Sequence, residues 1–476
     1  MSFVADLDAL VAASTNGLHA CPPGWQRVSL GSVAKIINGY PFASGHFGSA
    51  GAPVIRIRDV VRGRSETNYA GPIPEGYWVE QGDLIVGMDG DFATALWRSD
   101  PALLNQRVCK IVADPAKVEL RYLRYCLPGY LDLVNENTPS VTVKHLSSRT
   151  LAAIPLPLPT LKTQRAIVSQ IDALFAEVEN GEAALALARA DLGTWRKALL
   201  KAAVTGDLTA DWRVKRMKAE GPPPESGTDL LARILTERRT RWHAEPRNKR
   251  KQYVEPTGPD TASLQELPEG WAWATLDSLL SPDPNSLADG PFGSNLKSEH
   301  YQQTGPRVLR LQNIGRFGDF NDAKAHISQD HFDSLRRHHV DAGDLIIAIL
   351  GGPLPRAVIV PPSCGPALVK ADCLKLRVHN LMSNHFAWAW LNSMPLQGMF
   401  RDQIHGVGRP RLGMAAIRSM PVPVPAAAEQ AKIIEVLERA LEERESTDDS
   451  IIEHTDAAAT LRQSILAAAF RGALTA

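Results

Sequence analysis

At 476 residues and 44% hydrophobic, the chain is too long for one core and long enough for two domains of roughly 150 residues plus connecting elements. Lys plus Arg and Asp plus Glu balance at 52 each, which excludes attraction of a polyanion by global charge and requires any basic surface to be local. The scattered Cys21, Cys109, Cys126, Cys364 and Cys373 never form CxxC, which argues against a disulfide framework or zinc site. With Asp6 and Asp8 near the start, and no apolar run approaching the ~20 residues that span a bilayer, the expectation is a soluble, cytoplasmic protein with no membrane association.

Residues 1–22 read as an N-terminal segment. From PPGWQRVSLGSV at Pro22 to IPLPLP at Ile154, short alternating strands such as VIRIRDV and DLIVGM lie between glycine- and proline-rich turns, predicting a strand-rich α/β unit over 23–159. The alternating prolines of IPLPLP are expected to continue neither a strand ladder nor a helix. A proline-free stretch follows Thr160, predicting a helix over 160–206, with apolar or small residues at Ile167, Ile171, Leu174, Val178, Gly181, Leu185, Ala188, Leu192, Trp195, Leu199 and Ala202. Their alternating spacing of four and three is that of a coiled-coil seam, and at ~1.5 Å per residue the helix is roughly 65 Å long, more than the width of one such domain. Residues 207–266 read as a linker with a short helix, DLLARILTERRTRW, and a basic end that includes Arg247, Lys249, Arg250 and Lys251.

The remainder repeats what came before. PEGWAWATLDSL from Pro268 answers PPGWQRVSLGSV, VLRLQNI answers VIRIRDV, AGDLIIAI answers QGDLIVGM and MPVPVP answers IPLPLP, predicting a second strand-rich unit over 267–425. A second helix over 426–476 has its seam at Ile433, Leu437, Ala440, Arg444, Thr447, Ile451, His454, Ala458, Leu461, Ile465 and Ala468, with a more polar middle. The offset between copies widens through the strand-rich units, then stays fixed from Gln164 and Gln430 to Leu199 and Ile465. A region that accepts no insertion acts as a ruler. Each helix packing on its own domain is the alternative; their length favours an antiparallel pair with one domain at each end.

Catalytic signatures are missing. There is no GxxxxGK[ST], no Asn/Asp-Pro-Pro-aromatic tetrapeptide to hold a flipped adenine, no glycine-rich S-adenosylmethionine motif and no HExxH. Asp319, Asp322 and Lys324 have acid-x-Lys spacing that arises often by chance, and His331, His338 and His339 sit among charged residues as solvated surface. Two copies of one domain on a rigid spacer suit a reader of two separated sequences, because major-groove faces of a duplex recur about every 34 Å.

ADGPFGSNLKSEHY from Ala288, GDLIIAILGG from Gly343, GVGRPRLGMAAIRSMPVPVP from Gly406 and LRQSILAAAFRGAL from Leu461 resemble the second target-recognition domain and distal helix of type I restriction-modification specificity subunits. INGYPFAS, VIRIRDV, GMDGDF, LNQRV and LPLPTLKTQRAIV fit the same pattern in the first copy, while PTLKTQ and PAAAEQ depart from the family's usual Pro-Pro-Leu-x-Glu-Gln at each helix start. The resemblance implies an α/β (α+β) fold of two strand-rich target-recognition domains separated by two long antiparallel coiled-coil helices. It further implies a non-catalytic subunit that reads a bipartite site on double-stranded DNA and assembles with two methyltransferase and two motor-nuclease restriction subunits. Those partners would carry S-adenosylmethionine, ATP and Mg2+; this chain would need no cofactor or metal. A methylation-only assembly, or a coiled-coil protein-binding scaffold, is the alternative.

Forked and amide donors suited to bases, and cations suited to phosphate, single out Asn38, Tyr40, Arg56, Arg58, Asp89, Asp91, Arg107 and Lys144 in the first domain. In the second they single out Ser294, Asn295, Lys297, Arg310, Asn313, Arg356, Lys370, Arg409 and Arg411. Gly39, Gly90, Gly290 and Gly293 are expected to shape turns.

Overall fold

The fixed offset between the copies corresponds to the two longest elements, helices Leu161–Thr205 of 45 residues and Ala427–Phe470 of 44. The computed structural model describes residues 6–139, 143–221, 223–315, 318–400 and 411–474. The chain folds as two units, Met1–Ala186 with Ile451–Ala476, and Leu187–Ser450. Each unit holds the first part of one long helix and the last part of the other, so the helices pair in opposite senses. In the first unit Arg462 grips Glu182 with two bonds of 2.6 and 2.8 Å, and this holds the Glu182 carboxyl below the usual range. In the second the Arg444 guanidinium lies over the Trp195 ring, 5.3 Å from its centre.

The first unit carries three sheets. Gln26–Ser29 pairs antiparallel with Pro155–Leu158. Ala34–Asn38, Val108–Ala113, Leu84–Gly87 and Thr94–Leu96 form a four-stranded antiparallel sheet in that order. In a mixed sheet Ala52–Ile55 runs parallel to Ala102–Leu104, with Trp78–Val79 antiparallel beyond.

The second unit repeats this topology. Ala272–Thr275 pairs with Pro421–Val424, and Leu287–Asp289, Cys373–Leu376, Leu345–Ala348 and Arg356–Ile359 form the antiparallel four. Tyr301–Leu309 runs parallel to Ala367–Val369, with His339–Val340 antiparallel on its far side. The duplication seen in sequence phrases therefore extends to strand order and direction.

One expectation is corrected. The proline-rich segments do form strands, because their prolines alternate. Leu156 and Leu158 face the partner strand, while Pro155 and Pro157, which have no N–H to offer, face away. The outward carbonyl of Pro157 accepts from the Tyr122 hydroxyl at 2.7 Å, and that of Pro421 from Trp390 Nε1 at 2.9 Å.

The four-stranded sheets supply the cores. Leu84, Val86, Cys109 and Ile111 pack with Tyr122, Cys126 and Tyr130 of helix Leu120–Glu136, and the same core takes in Ile167, Ile171 and Val178 of the first long helix and Ala458, Ile465 and Phe470 of the second. The second unit's core joins Ile346, Phe386 and Trp390 to Leu200, Val204, Ile433 and Leu437. Burial pushes the Cys109 and Cys373 thiols up to about 12, so both behave as small apolar groups.

Along the seam, Ile167, Ile171, Val178, Ile433, Leu437, Ile451 and Ile465 are buried, and Leu174, Leu185, Leu192, Trp195 and Leu199 are half-buried. Leu461, at 50% exposure, is a correction. In the last part of the second helix Ile451, Ala458 and Ile465, seven residues apart, are buried together with Ala469 and Phe470, and Leu461 lies on the face turned to water. The linker also holds more helix than expected. Ala210–Glu220 ends at Gly221, whose φ of 78° suits only glycine well, and Gly227–Ala244 starts from a reciprocal Ser226–Asp229 cap.

A buried glutamine pins the start of each long helix to its domain. Gln164 accepts from the backbone N–H of Glu119 at 2.8 Å and donates to the carbonyls of Pro159 and Lys117. Gln430 accepts from the N–H of Ser383 at 2.8 Å and donates to the Pro425 carbonyl at 3.0 Å. Glu119 and Ser383 are both helix N-caps, so in each copy the side chain satisfies an amide that its helix leaves unpaired.

Candidate nucleic-acid interface

One end of the four-stranded sheet in the first unit gathers several of the polar residues singled out from the sequence. Asn38 ends one strand, Asp89 follows another and Arg107 precedes a third, and Cys109 and Val108 stand opposite Asn38 and Gly87 in the ladder. The Arg107 carbonyl accepts from Met88 N–H at 2.8 Å, and Leu146 N–H donates to Met88 O at 2.7 Å, drawing in the chain on both sides of the turn. This places His145 beside Asp89. Its Nδ1 lies 2.7 Å from Asp89 Oδ1, while Arg107 Nε lies 3.5 Å from Asp89 Oδ2.

Tyr40 stands at the same end, bridged to Asn105, with its ring near Phe42 and Tyr77. Gly39 is required there, because a Cβ would collide with the Asn105 carbonyl. Asn38 Nδ2 lies 3.3 Å from Ser148 Oγ, and Asp91 is exposed. Lys144, half-buried, also serves the fold. Its ammonium donates to Asn135 O at 2.6 Å and Asn135 Oδ1 at 3.0 Å, so it satisfies the C-terminal end of helix Leu120–Glu136.

The second unit builds the same end from different side chains. Leu412 N–H donates to Ile349 O, as Leu146 does to Met88 O, which puts exposed Arg411 where the first unit has His145. The Arg411 guanidinium lies 5.9 Å from the centre of the Phe292 ring, and the Lys370 ammonium 5.9 Å from that of Tyr301. Arg356 opens the edge strand and reaches the Gly352 carbonyl at 3.3 Å. Arg409 lies outside the described residues. Ser294, Asn295 and Lys297 are exposed on short turns before strand Tyr301–Leu309, and Lys297 lies 3.4 Å from Glu299.

Arg56 and Arg310 occupy equivalent places after the parallel strands. The backbone N–H of Arg56 donates to Asp59 Oδ2 and that of Arg310 to Asn313 Oδ1, each at 2.9 Å. Arg56 and Arg58 are exposed, and Arg310 is half-buried.

Asn313 is a correction: fully buried, its amide donates to the carbonyls of Asn321 and Ala323 at 2.8 Å, and it has no surface to offer a ligand. Burial raises the pKa of its counterpart Asp59. Asn313→Asp should therefore destabilise the second unit by more than ~3 kcal/mol at neutral pH, as a carboxylate would face two carbonyl oxygens. A folded-state pKa raised in this way is matched by both states only below the unfolded carboxyl's pKa, so the deficit should shrink as pH falls. Denaturant melts of wild type and variant between pH 7 and pH 5 test this, and an equal loss at both would refute it.

His145 and Asn105 escaped the sequence reading. The signal was present, since KHLSS and PRLGM occupy matching places, but a histidine aligned with an arginine becomes informative only once the backbone pairing is known. Among the described residues no group of His, Cys, Asp or Glu is arranged to hold a metal ion, and no helix is long and apolar enough to cross a membrane.

A family model described as Type I restriction modification DNA specificity domain matches residues 22–186. The Type I restriction enzyme EcoBI specificity subunit of Escherichia coli is 34% identical over 483 residues, spanning 100% of this chain and 92% of the relative. The EcoDI specificity subunit of the same species is 21% identical over 457 residues, 96% of this chain and 90% of the relative. A chain solved in a study of complex assembly and conformational transition of the type I R-M system shares the fold, with a TM-score of 0.55 at 16% identity over 95% of this chain and 99% of that one. With a repeat that pairs its two domains and helices, and a relative 34% identical over 100% of this chain and 92% of its own length, this chain belongs to the family of type I restriction-modification DNA specificity subunits.

Proposed function

We propose that the chain is the non-catalytic DNA-reading subunit of a type I complex, in which each strand-rich domain reads one half of a bipartite duplex site. The two long helices fix the unread gap between the halves and dock two methyltransferase subunits, and two motor-nuclease subunits complete the assembly in the cytoplasm. S-adenosylmethionine, ATP and Mg2+ belong to those partners.

The observation that carries this reading is that one sheet end is built twice on the same backbone frame and furnished with different side chains. A structural role would keep the side chains as well as the frame. A pair of readers needs the frame kept and the side chains changed. The pinning of each helix start by Gln164 or Gln430 supports the ruler, because a spacer measures distance only when it is fixed rigidly to what it separates.

The subunit assembled with its methyltransferase partner and titrated with duplexes should bind one sequence far more tightly than scrambled DNA. Affinity should fall steeply with salt, since phosphate contacts release counterions. Binding that ignores sequence, or metal-dependent cleavage by the purified chain alone, would sink the proposal.

A further inference from the structure

The backbone frame shared by the two sheet ends can be followed residue by residue across one turn. Val108 N–H donates to Asn105 O at 3.1 Å and Cys373 N–H to Lys370 O at 2.9 Å. Met88 N–H donates to Arg107 O at 2.8 Å and Ile349 N–H to Asp372 O at 3.3 Å. A Cβ on Gly39 would strike the Asn105 carbonyl, and one on Gly290 would strike the peptide between Lys370 and Ala371. Asn105, Gln106 and Arg107 of the first domain therefore correspond to Lys370, Ala371 and Asp372 of the second. At the last of these places a fork of donors in one domain is replaced by a pair of acceptors in the other.

Arg107 shows signs of being held for use. Its φ of 73° lies in the left-handed region, where a residue with a Cβ is strained. The side chain is 56% exposed, and Asp89, itself hydrogen-bonded by His145, lies against Nε. That arrangement orients the guanidinium: Nη1 lies 3.3 Å from His145 Nδ1, and Nη2 has no partner among the described residues, so Nη2 with the second hydrogen of Nη1 offers the donors that suit O6 and N7 of guanine in the major groove. Asp372, half-buried, has no side-chain partner among the described residues, and a carboxylate there suits the exocyclic amino group of cytosine.

We infer that Arg107 and Asp372 are the same specificity-determining position in the two domains, reading guanine in the first half-site and cytosine through its amino group in the second, so that the half-sites differ there. This rests on the DNA-reading function proposed above.

The test uses the full chain assembled with its methyltransferase subunits and a panel of duplexes carrying every single-base change in the preferred site. Arg107→Gly removes the fork and relieves the backbone strain, so the variant should melt no lower than wild type. It should lose about 5- to 100-fold of the preference for guanine at one position of the first half-site, with the second half-site unchanged. Asp372→Ala should relax one position of the second half-site alone. Uniform weakening on all sequences would identify Arg107 as a phosphate contact and overturn the assignment, as would an unchanged base preference in either variant. A wild-type complex with no base preference at all would refute the DNA-reading function, and this assignment with it.

Discussion

Removing one heptad from each long helix, Leu185–Asp191 from the first and Ile451–Ala457 from the second, is expected to shorten the gap between the half-sites by about three base pairs. Seven residues at ~1.5 Å each span about 10 Å, and a duplex rises ~3.4 Å per base pair. A whole heptad preserves the facing of the seam, so the helices can still pair. Three base pairs also turn the second half-site by roughly a third of a DNA turn, so affinity should fall even at the new optimum. Methylation mapping of a host carrying the shortened subunit reads both half-sites and the gap together. Altered half-site sequences, or an unaltered gap, would remove the helices from the role of ruler.

The largest stability effect is expected from Glu429. This buried carboxylate accepts from Trp271 Nε1 at 2.8 Å and Thr209 Oγ1 at 2.7 Å, and it is bonded to Arg213, itself three-quarters buried. The start of the second long helix, the linker after the first and the opening of the second strand-rich domain all meet on this group. Glu429→Ala takes the carboxylate from a largely buried guanidinium, leaving it only the Thr209 hydroxyl at 3.1 Å, and leaves the indole N–H without a partner, and should cost the second unit about 3–5 kcal/mol. Glu429→Gln keeps one acceptor and should cost less. Denaturant unfolding of the two variants decides the matter, and a loss below ~1 kcal/mol for alanine would mean that water substitutes for the carboxylate. The first copy has Thr163 at the matching place, so no equivalent sensitivity is expected there.

The repeat explains why so much of this fold was legible. A strand phrase such as DLIVGM is ambiguous alone, but returning as DLIIAI at a consistent place it fixes both the element and its partner domain. Helix boundaries were readable because Pro159 and Pro425 close the preceding strands and no proline follows in either helix. Proline content alone argues against a strand at IPLPLP, but phase decides the outcome, since the missing N–H groups fall on the unpaired side. Side-chain roles were the least legible. Asn313 and Arg310 stand three residues apart in one motif, yet the first is consumed by three backbone bonds and the second is not. Lys144 gives two bonds to the end of helix Leu120–Glu136, a structural use that its sequence neighbours do not signal. Such allocations depend on which carbonyls a loop leaves unpaired, and no pattern in the chain records that.

The phase of those prolines has a further result. A two-stranded ladder exposes its outer rim, and an open rim of alternating amides and carbonyls invites any extended peptide to add to it. Here the outward positions of Pro155 and Pro157, and of Pro421 and Pro423, present no amide, and the carbonyls of Pro155, Pro157 and Pro421 are already taken by Arg27, Tyr122 and Trp390, so an incoming strand would find no donors there and few acceptors. The residues that deliver the chain into each long helix thus also cap the sheet against growth.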